Sequence, residues 1–345
     1  MQSLSSRIAT VCLGLLFTCG ALAPGVRAAS RDGMPQGVQY LVPVGHTVGV
    51  KLFADGVLVV GLSDGDTPAK QSGLREGDIM LTFNGTDIAS TEHLQQLLAE
   101  NGEARATMSV KRGTKTLTLP VTPEEGEDGV CRLGAWIRDS MAGIGTITFY
   151  DPQSSRFGAL GHGVTDVDTG KLMPLEHGSI MDATVKAVKR GASGSPGELR
   201  GDFDLTRDSG SLYANTDCGL FGTIEGDTNA LTGQKAVPIA KRGEVTTGAA
   251  TILANCDGGA VHEYAVEIER VYSGDSPTRN LLLRVTDPEL LAQTGGIVQG
   301  MSGSPILQNG KIVGAVTHVL VSDSARGYGI FIENMLDAAG IETAE

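Results

Sequence analysis

Glycine constrains the fold of this chain most strongly, because 48 of its 345 residues are glycine. Turn residues separate short apolar runs, such as 57–62, 144–150 and 311–321, that are rich in Val, Ile and Thr. Short strands between frequent tight turns are typical of β-sandwiches and barrels rather than of parallel α/β sheets. The sequence therefore predicts a mainly β protein.

The charge of the chain excludes one class of partner. The formal net charge is −13, and no long acidic or basic run is present. Nucleic-acid binding needs clustered Lys and Arg against the phosphates, so we expect no nucleic-acid partner. No spacing of Cys and His fits a zinc site, and we expect neither a metal nor another cofactor.

Residues 1–29 have the composition of an export segment. Arg7 precedes the nearly uncharged apolar stretch 8–23, and small residues around Arg27 offer a cleavage point. The stretch is slightly long for a cleaved signal and slightly short for a membrane span, so signal and retained anchor both stay open. A buried helix is the purely structural alternative. The polar residues 30–41 are expected to form a linker.

Residues 42–122 read as one compact unit. The turn 73–78 leads into a strand, Asn84-Gly85 makes a tight reversal, and Ser90 can cap a helix before two more strands. This order resembles a PDZ domain. The resemblance implies binding of an extended peptide at a sheet edge, here by Thr47, Val48, Gly49 and Val50. The alternative for these residues is an ordinary strand entry. An acidic linker is expected at 123–132, before a second domain at 133–345.

The run 300–305, Gly-Met-Ser-Gly-Ser-Pro, has the form of a serine nucleophile turn. Serine hydrolysis needs an exposed hydroxyl, a base, and backbone amides that bind the oxyanion. Glycines on both sides of Ser302 permit a sharp turn, and the amides of Gly300 and Ser302 can converge on one point. The apolar hairpin at 306–321 is the context found in chymotrypsin-like barrels, so Ser302 is the predicted nucleophile.

Two other serines are alternatives. The same Gly-x-Ser-Gly-x-Pro pattern occurs at 191–196, but the polar, Gly-rich residues after it indicate an open loop. Ser193 is therefore less well placed than Ser302. Ser304 lies in the same turn as Ser302 but away from its apex.

Among the histidines, His162 is the best candidate base, because it follows the apolar run 157–160 and has glycine on either side. His318 lies on the predicted strand after the nucleophile turn. In chymotrypsin-like barrels, this strand lines the substrate pocket. Thr317 and His318 are therefore predicted pocket residues, with ordinary strand packing as the alternative. The remaining histidines lie in the predicted PDZ unit or in polar surroundings and are not expected at the site: His46, His93, His177 and His262.

Three segments together, 157–163, 295–306 and 314–319, resemble the SpoIVB peptidase family of endospore-forming bacteria. Its order of export segment, PDZ domain and chymotrypsin-like double β-barrel serine peptidase domain matches nearly the whole chain. The resemblance implies Ser302 as nucleophile, His162 as base and Asp287 as its acidic partner. From the residues alone, an Asp before a proline at a strand end also suits a turn, and three other acids remain alternatives: Asp166, Asp168 and Asp182.

The resemblance also implies a biological role. Such a peptidase is exported across the forespore membrane into the intermembrane space and cleaves itself, which we expect near residues 30–45. It then cuts a membrane-bound regulator of a membrane-embedded metalloprotease, so that a late sigma factor matures. The PDZ domain would bind a peptide from a substrate or from a sister molecule. The alternatives are an exported PDZ adaptor with an inactive barrel, and a broad degradative protease.

Overall fold

The computed structural model describes residues 39–341 except 205, 226–233, 273 and 275. Strands dominate this part of the chain, which confirms the prediction of a mainly β protein. No helix among the described residues is both long and apolar enough to cross a membrane. The predicted export segment 1–29, and all but the last residues of the predicted linker, lie outside the described residues.

The strands, in chain order, are β1 (Tyr40–Pro43), β2 (Thr47–Leu62), β3 (Ile79–Phe83), β4 (Thr86–Asp87), β5 (Ala106–Arg112), β6 (Lys115–Val121), β7 (Glu124–Glu125), β8 (Cys131–Arg132), β9 (Ala135–Asp151), β10 (Arg156–Ala159), β11 (His177–Lys189), β12 (Glu198–Phe203), β13 (Gly210–Thr216), β14 (Gly219–Ile224), β15 (Val237–Pro238), β16 (Gly248–Ala254), β17 (His262–Val271), β18 (Leu281–Val285), β19 (Pro305–Gln308), β20 (Lys311–Leu320) and β21 (Asp323–Phe331). The α-helices are α1 (Pro68–Gln71), α2 (Thr91–Asn101), α3 (Pro288–Thr294) and α4 (Ile332–Ala339), and a 3₁₀ turn spans Arg242–Glu244.

The first barrel is a closed ring of antiparallel strands. The order is β2, β9, β10, β14, β13 and β11, and β11 returns to pair with β2. Closure removes free sheet edges, and the inward-facing apolar side chains form the core. Val48, Val50 and Leu52 of β2 pack there against Ile147 and Phe157.

The second barrel consists of β16, β17, β18, β21, β20 and β19, again closed. Its core includes Ile252, Leu283 and Val316. Helix α4 joins the two barrels, because its buried apolar side chains share one cluster with Phe149 of the first barrel and Ile330 of the second. The double-barrel peptidase fold predicted from the sequence is thus confirmed.

The PDZ domain is built from the second half of β2 with β3, β5 and β6, and from helices α1 and α2. Its core gathers Val57, Met80, Leu94 and Met108. The predicted Gly-rich turn before β3 is fixed by Asp78, which is buried and accepts hydrogen bonds from Arg112 Nε at 2.7 Å and Nη2 at 2.6 Å.

The structure corrects the predicted order of PDZ domain first and peptidase second. The PDZ domain is inserted into the first barrel. The strand β2 begins in the barrel and ends in the PDZ domain, and β9 begins in the PDZ domain and ends in the barrel. β2 is one strand of 16 residues, so its sequence has no turn at the boundary. Residues 42–54 therefore belong to the barrel, and the predicted acidic linker is a short hairpin of β7 and β8.

Candidate active site

The nucleophile turn lies between α3 and β19, at the junction of the two barrels. Gly300 and Gly303 have φ values of +97° and +99°, which only glycine adopts readily. A Cβ on Gly303 would lie 2.0 Å from the carbonyl oxygen of Thr146. The half-buried Ser302 donates its hydroxyl hydrogen to the carbonyl oxygen of Thr317 at 2.6 Å. Both positions therefore need glycine for their backbone conformation, and Gly303 also needs it because the backbone of Thr146 lies so close.

Two buried threonines of β9 hold this turn from the first barrel. Thr146 donates its amide to Ser302 O at 3.1 Å and its hydroxyl to Gly300 O at 2.7 Å. The hydroxyl of Thr148 donates to Gly303 O at 2.7 Å. Neither threonine was predicted from the sequence as part of the site. Threonines alternating within an apolar strand were a usable signal, since a buried hydroxyl needs a hydrogen-bond partner.

The peptide groups around Ser302 are oriented by hydrogen bonds on their carbonyl sides. Gln299 O accepts from the Leu199 amide at 2.8 Å, and Met301 O accepts from the Ser304 amide at 2.9 Å. In a planar trans peptide the N–H points away from the C=O, so the amides of Gly300 and Ser302 point away from these bonds. Throughout the described residues, neither amide has a hydrogen-bond partner. They are free donors on the cleft, as an oxyanion hole requires.

His162 follows a sharp reversal at the end of β10. Leu160 and Gly161 have consecutive positive φ values, +68° and +67°. Strain in a non-glycine residue such as Leu160 is characteristic of functional sites. A Cβ on Gly161 would lie 3.0 Å from side-chain carbons of Thr317 and Ile330. The reversal thus packs directly on the second barrel and presents His162 at the junction where Ser302 lies.

A backbone carbonyl orients the His162 ring. Nδ1 lies 2.8 Å from Gly163 O, and because a carbonyl oxygen only accepts, Nδ1 carries the hydrogen and Nε2 is free to accept a proton. Burial lowers the pKa of His162 below its ordinary value of 6.5, against the opposing effect of the Gly163 carbonyl. At neutral pH the ring is therefore uncharged, which is the form that a general base needs.

His318 stands beside the base. The two ring centroids are 4.9 Å apart. Partial burial, followed by the proximity of His162 and Arg279, lowers the pKa of His318 to about 4. Two neutral imidazoles therefore face each other at pH 7.

The structure contradicts the prediction that Asp287 orients His162. Asp287 is the N-cap of α3, and its carboxylate accepts hydrogen bonds from the amides of Glu289 and Leu290 at 3.0 Å and of Ala265 at 3.2 Å. These bonds lower its pKa. The cap role follows from an Asp before Pro288, because proline is favoured at the first helical position. The position that an acidic partner would take at Nδ1 is held by Gly163 O.

The other candidate acids also have partners elsewhere. Asp166 and Asp168 both pair with Arg138, and Asp182 accepts from the hydroxyl of Ser209 at 3.0 Å. None of the hydrogen bonds or ion pairs found among the described residues joins any of them to His162. The orienting partner of the His162 ring in the described structure is therefore a backbone carbonyl, and the Ser302 hydroxyl bonds to Thr317 O and not to His162.

The alternative serines have different surroundings. Ser304 is fully buried, and its hydroxyl has no partner in the described structure, so a substrate cannot reach it. Ser193 is exposed and donates its hydroxyl to Ser322 O at 2.9 Å. The repeated motif and the glycine after it, residues 191–197, instead support the chain just before Gly300. Gly197 O accepts a hydrogen bond from the Gln299 amide at 2.9 Å.

One cleft of about 750 Å³ contains the assembled site. His162 reaches it from the first barrel, and Ser302 and Gly300 reach it from the second. The predicted pocket residues Thr317 and His318 both line this cleft, together with apolar side chains of Ile297, Val298 and Val319. The structure therefore brings together every predicted residue of the peptidase site except Asp287.

The predicted PDZ peptide site lies elsewhere than expected. Thr47, Val48, Gly49 and Val50 are the first residues of β2, which pairs here with β11 on one side and β9 on the other. A Cβ on Gly49 would lie 2.6 Å from Phe203. No edge is free for a peptide, so the prediction is wrong, and Val50 lines the catalytic cleft instead.

Comparison with known proteins gives a family for most of the chain. The family model described as SpoIVB peptidase S55 matches residues 129–336, and a PDZ domain model matches 59–112. Residues 129–336 include His162 and Ser302, and 59–112 include the turn before β3 and helix α2.

Individual relatives match over shorter stretches. Serine protease HTRA1 of Xenopus laevis is 34% identical over 62 residues, 18% of this chain and 13% of the relative. Regulator of sigma-W protease RasP of Bacillus subtilis is 38% identical over 60 residues, 17% of this chain and 14% of the relative. The chain thus spans only a small part of these curated relatives. The active form of the Rv3671c protease of M. tuberculosis aligns with 17% identity and a TM-score of 0.32, covering 60% of this chain and 78% of that one.

Proposed function

Since this chain belongs to the SpoIVB peptidase family S55, we propose that it is a serine endopeptidase that acts by limited proteolysis in sporulation signalling. The observation that carries the proposal is that Ser302 and His162 line one cleft, beside two backbone amides that have no partner among the described residues. A hydroxyl, a neutral imidazole and an oxyanion site are the parts that acyl-enzyme hydrolysis needs.

Acylation begins with a rotation of the Ser302 side chain. Its hydroxyl leaves Thr317 O and donates to Nε2 of His162. The oxygen attacks the scissile carbonyl carbon as Nε2 takes the proton, and the amides of Gly300 and Ser302 bind the resulting oxyanion. The bond from Nδ1 to Gly163 O keeps the required tautomer and stabilises the imidazolium.

The second half of the reaction reverses these roles. His162 gives its proton to the departing amine, which leaves an ester on Ser302. His162 then takes a proton from a water molecule that attacks this ester, and the carboxylate product leaves with the serine hydroxyl restored. His162 returns the proton it took from the water to the Ser302 oxygen as the acyl group leaves, so water is the one co-reactant that these steps consume besides the substrate.

The biological role that we propose follows the family. The protein is exported into the space between forespore and mother cell, where it cleaves itself in the polar segment near residues 30–45. It then cuts a membrane-bound regulator of a membrane-embedded metalloprotease, which leads to maturation of a late sigma factor. Residues 1–29 serve as the export signal or membrane anchor.

Intact mass over time tests the peptidase proposal. Wild type and Ser193→Ala should shorten progressively and identically, whereas Ser302→Ala should keep its full mass. The fragment masses locate the self-cleavage site. Full-length mass in all three proteins would contradict self-cleavage, and shortening of Ser302→Ala would contradict Ser302 as the nucleophile. In a sporulating host, Ser302→Ala should also abolish maturation of the late sigma factor.

A non-catalytic PDZ adaptor is the second candidate, and two observations favour it. The Ser302 hydroxyl donates to Thr317 O, and no carboxylate contacts His162 among the described residues. An adaptor should not react with a serine-directed fluorophosphonate, whereas a peptidase should. Unfolded casein separates the remaining alternative, because a broad degradative protease should digest it freely and a signalling peptidase should leave most of it intact.

A further inference from the structure

The first residues of β9 lie along the outer edge of the PDZ sheet. β9 pairs antiparallel with the second half of β2 through Leu62↔Ala135, Gly61↔Trp136, Val59↔Ile137 and Leu58↔Arg138. The other edge of this β2 segment pairs with β3. PDZ domains bind extended peptides by adding a strand at an open sheet edge beside a helix. In this chain, that edge is already occupied by a strand of the same molecule.

The side chains of this segment alternate as those of a bound peptide would. Ala135 and Ile137 pack on the PDZ core, and Leu133 just before them is buried in the same cluster as Leu94 and Leu98 of α2. Trp136 points the other way and is 66% exposed. Because successive side chains of a strand point to opposite faces, one face of this segment lies between β2 and α2. Two backbone hydrogen bonds continue this contact before β9 begins. The Ser63 amide donates to Gly134 O, and the Ala69 amide donates to Leu133 O.

Asp139 fixes the far end of the segment. Its carboxylate accepts from the amide of Thr91 at 2.7 Å and from the Thr91 hydroxyl at 3.1 Å, and Thr91 is the first residue of α2. A carboxylate at a helix N-terminus binds unpaired amides and a favourable dipole. The segment is therefore held by sheet pairing, by apolar contacts and by a charged contact to the helix.

We propose that residues 131–139 are a built-in ligand of the PDZ groove, and that the intact protein closes this groove to outside peptides. A tethered ligand on a short connection has an effective concentration of about 1 mM. If the strand on its own would bind the empty groove with a Kd of about 10 μM, an outside peptide is weakened about 100-fold, because it must displace the strand.

The location of the segment connects the groove to the catalytic site. Seven positions separate Asp139 from Thr146, which bonds to Gly300 and Ser302, so the two ends lie about 23 Å apart on one continuous strand. An outside peptide that entered the groove would have to release the start of this strand. The groove thus acts as an anchor for β9 and not as a site of substrate recruitment.

The test uses the full-length chain and a fluorescein-labelled synthetic peptide with the sequence of residues 131–139, serine replacing the cysteine. Fluorescence anisotropy should detect no binding to wild type at micromolar peptide. A variant with Ile137→Ser and Asp139→Ala should bind at least 10-fold more tightly. Trp136→Ser changes an outward-facing residue of the same strand and should behave as wild type. Equal binding by wild type and the double variant would refute the proposal.

A second measurement on wild type keeps the proposal testable if the double variant does not fold. Trp136 is the only tryptophan of the chain, so its fluorescence reports on this strand alone. Excess unlabelled peptide, with phenylalanine in place of its tryptophan, should leave the emission unchanged, and the amides among 135–138 that face β2 should exchange hydrogen as slowly as those of β3. An emission shift on adding peptide, or exchange as fast as that of an exposed loop, would show an open groove and overturn the inference.

Discussion

Replacing Thr146 with valine removes one hydroxyl and leaves the shape of the side chain nearly unchanged. The Thr146 side chain is buried, and its hydroxyl is the donor that holds Gly300 O at 2.7 Å. The hydrogen bond from the Thr146 backbone amide to Ser302 O does not involve the side chain and remains after the substitution. The change therefore tests one contact between β9 and the peptide that follows the Gly300 amide.

The expected magnitude follows from what Gly300 loses. A carbonyl left without its partner costs about 1 kcal/mol when it is only half-buried, and this should lower the Tm by about 2–4 °C. Complete loss of one oxyanion donor lowers the rate about 100- to 1000-fold. Since Leu199 still holds the Gln299–Gly300 peptide, we expect a smaller loss of about tenfold, which corresponds to ~1.4 kcal/mol at the transition state.

The assay is the second-order rate constant for inactivation by a fluorophosphonate, whose phosphonyl oxygen occupies the oxyanion site during attack and which needs no known substrate sequence. Thr146→Ser keeps the hydroxyl and should restore the rate. Thr148→Val removes a matched buried hydroxyl that bonds to Gly303 O. It should lower the Tm by a similar amount with a smaller effect on the rate. If Thr146→Val loses stability like Thr148→Val but reacts within twofold of wild type, the positioning role is refuted.

Three further predictions concern the base, the acid and the oxyanion region. The acid limb of the pH–rate profile should have its midpoint below 6.5, because burial lowers the pKa of His162 and activity is lost only as pH falls through that pKa; a midpoint above 6.5 would be inconsistent with the buried ring. Asp287→Asn should keep activity within a few-fold, because Asn caps helices as well as Asp; a loss of about 10⁴-fold would instead identify a triad carboxylate. Gly197→Ala should slow fluorophosphonate labelling, because its Cβ would lie 2.3 Å from Lys189 O in the segment that supports Gln299, whereas Gly243→Ala adds a methyl to open space away from the cleft and should label as wild type does. Equal labelling by the two alanine variants would contradict the supporting role of residues 191–197.

The parts of the fold and site that the sequence predicted are local. The turn at Ser302 needs glycines at fixed neighbouring positions, and the reversal before His162 needs Gly161, so both leave a pattern within a few residues. The PDZ turn before β3 is of the same kind. Such patterns identify a nucleophile and a base without any knowledge of which strands pair.

The parts that the sequence did not predict depend on distant residues or on the backbone. Gly163 O has no side-chain signature, so the orienting group of His162 could not be found by looking for an acid. The insertion of the PDZ domain into the first barrel depends on β2 pairing with β9 more than 70 positions away. Asp287 fitted both a triad acid and a turn former from its sequence, and only the hydrogen bonds to α3 show that it caps a helix.

Ser302 is tested most directly by locating the fluorophosphonate adduct on the full-length protein by mass spectrometry of its peptides. We expect one adduct, on the peptide that contains Ser302, and none on Ser302→Ala or His162→Ala. An adduct on Ser193, or no adduct on folded wild type, would show that Ser302 and His162 do not form a working peptidase site.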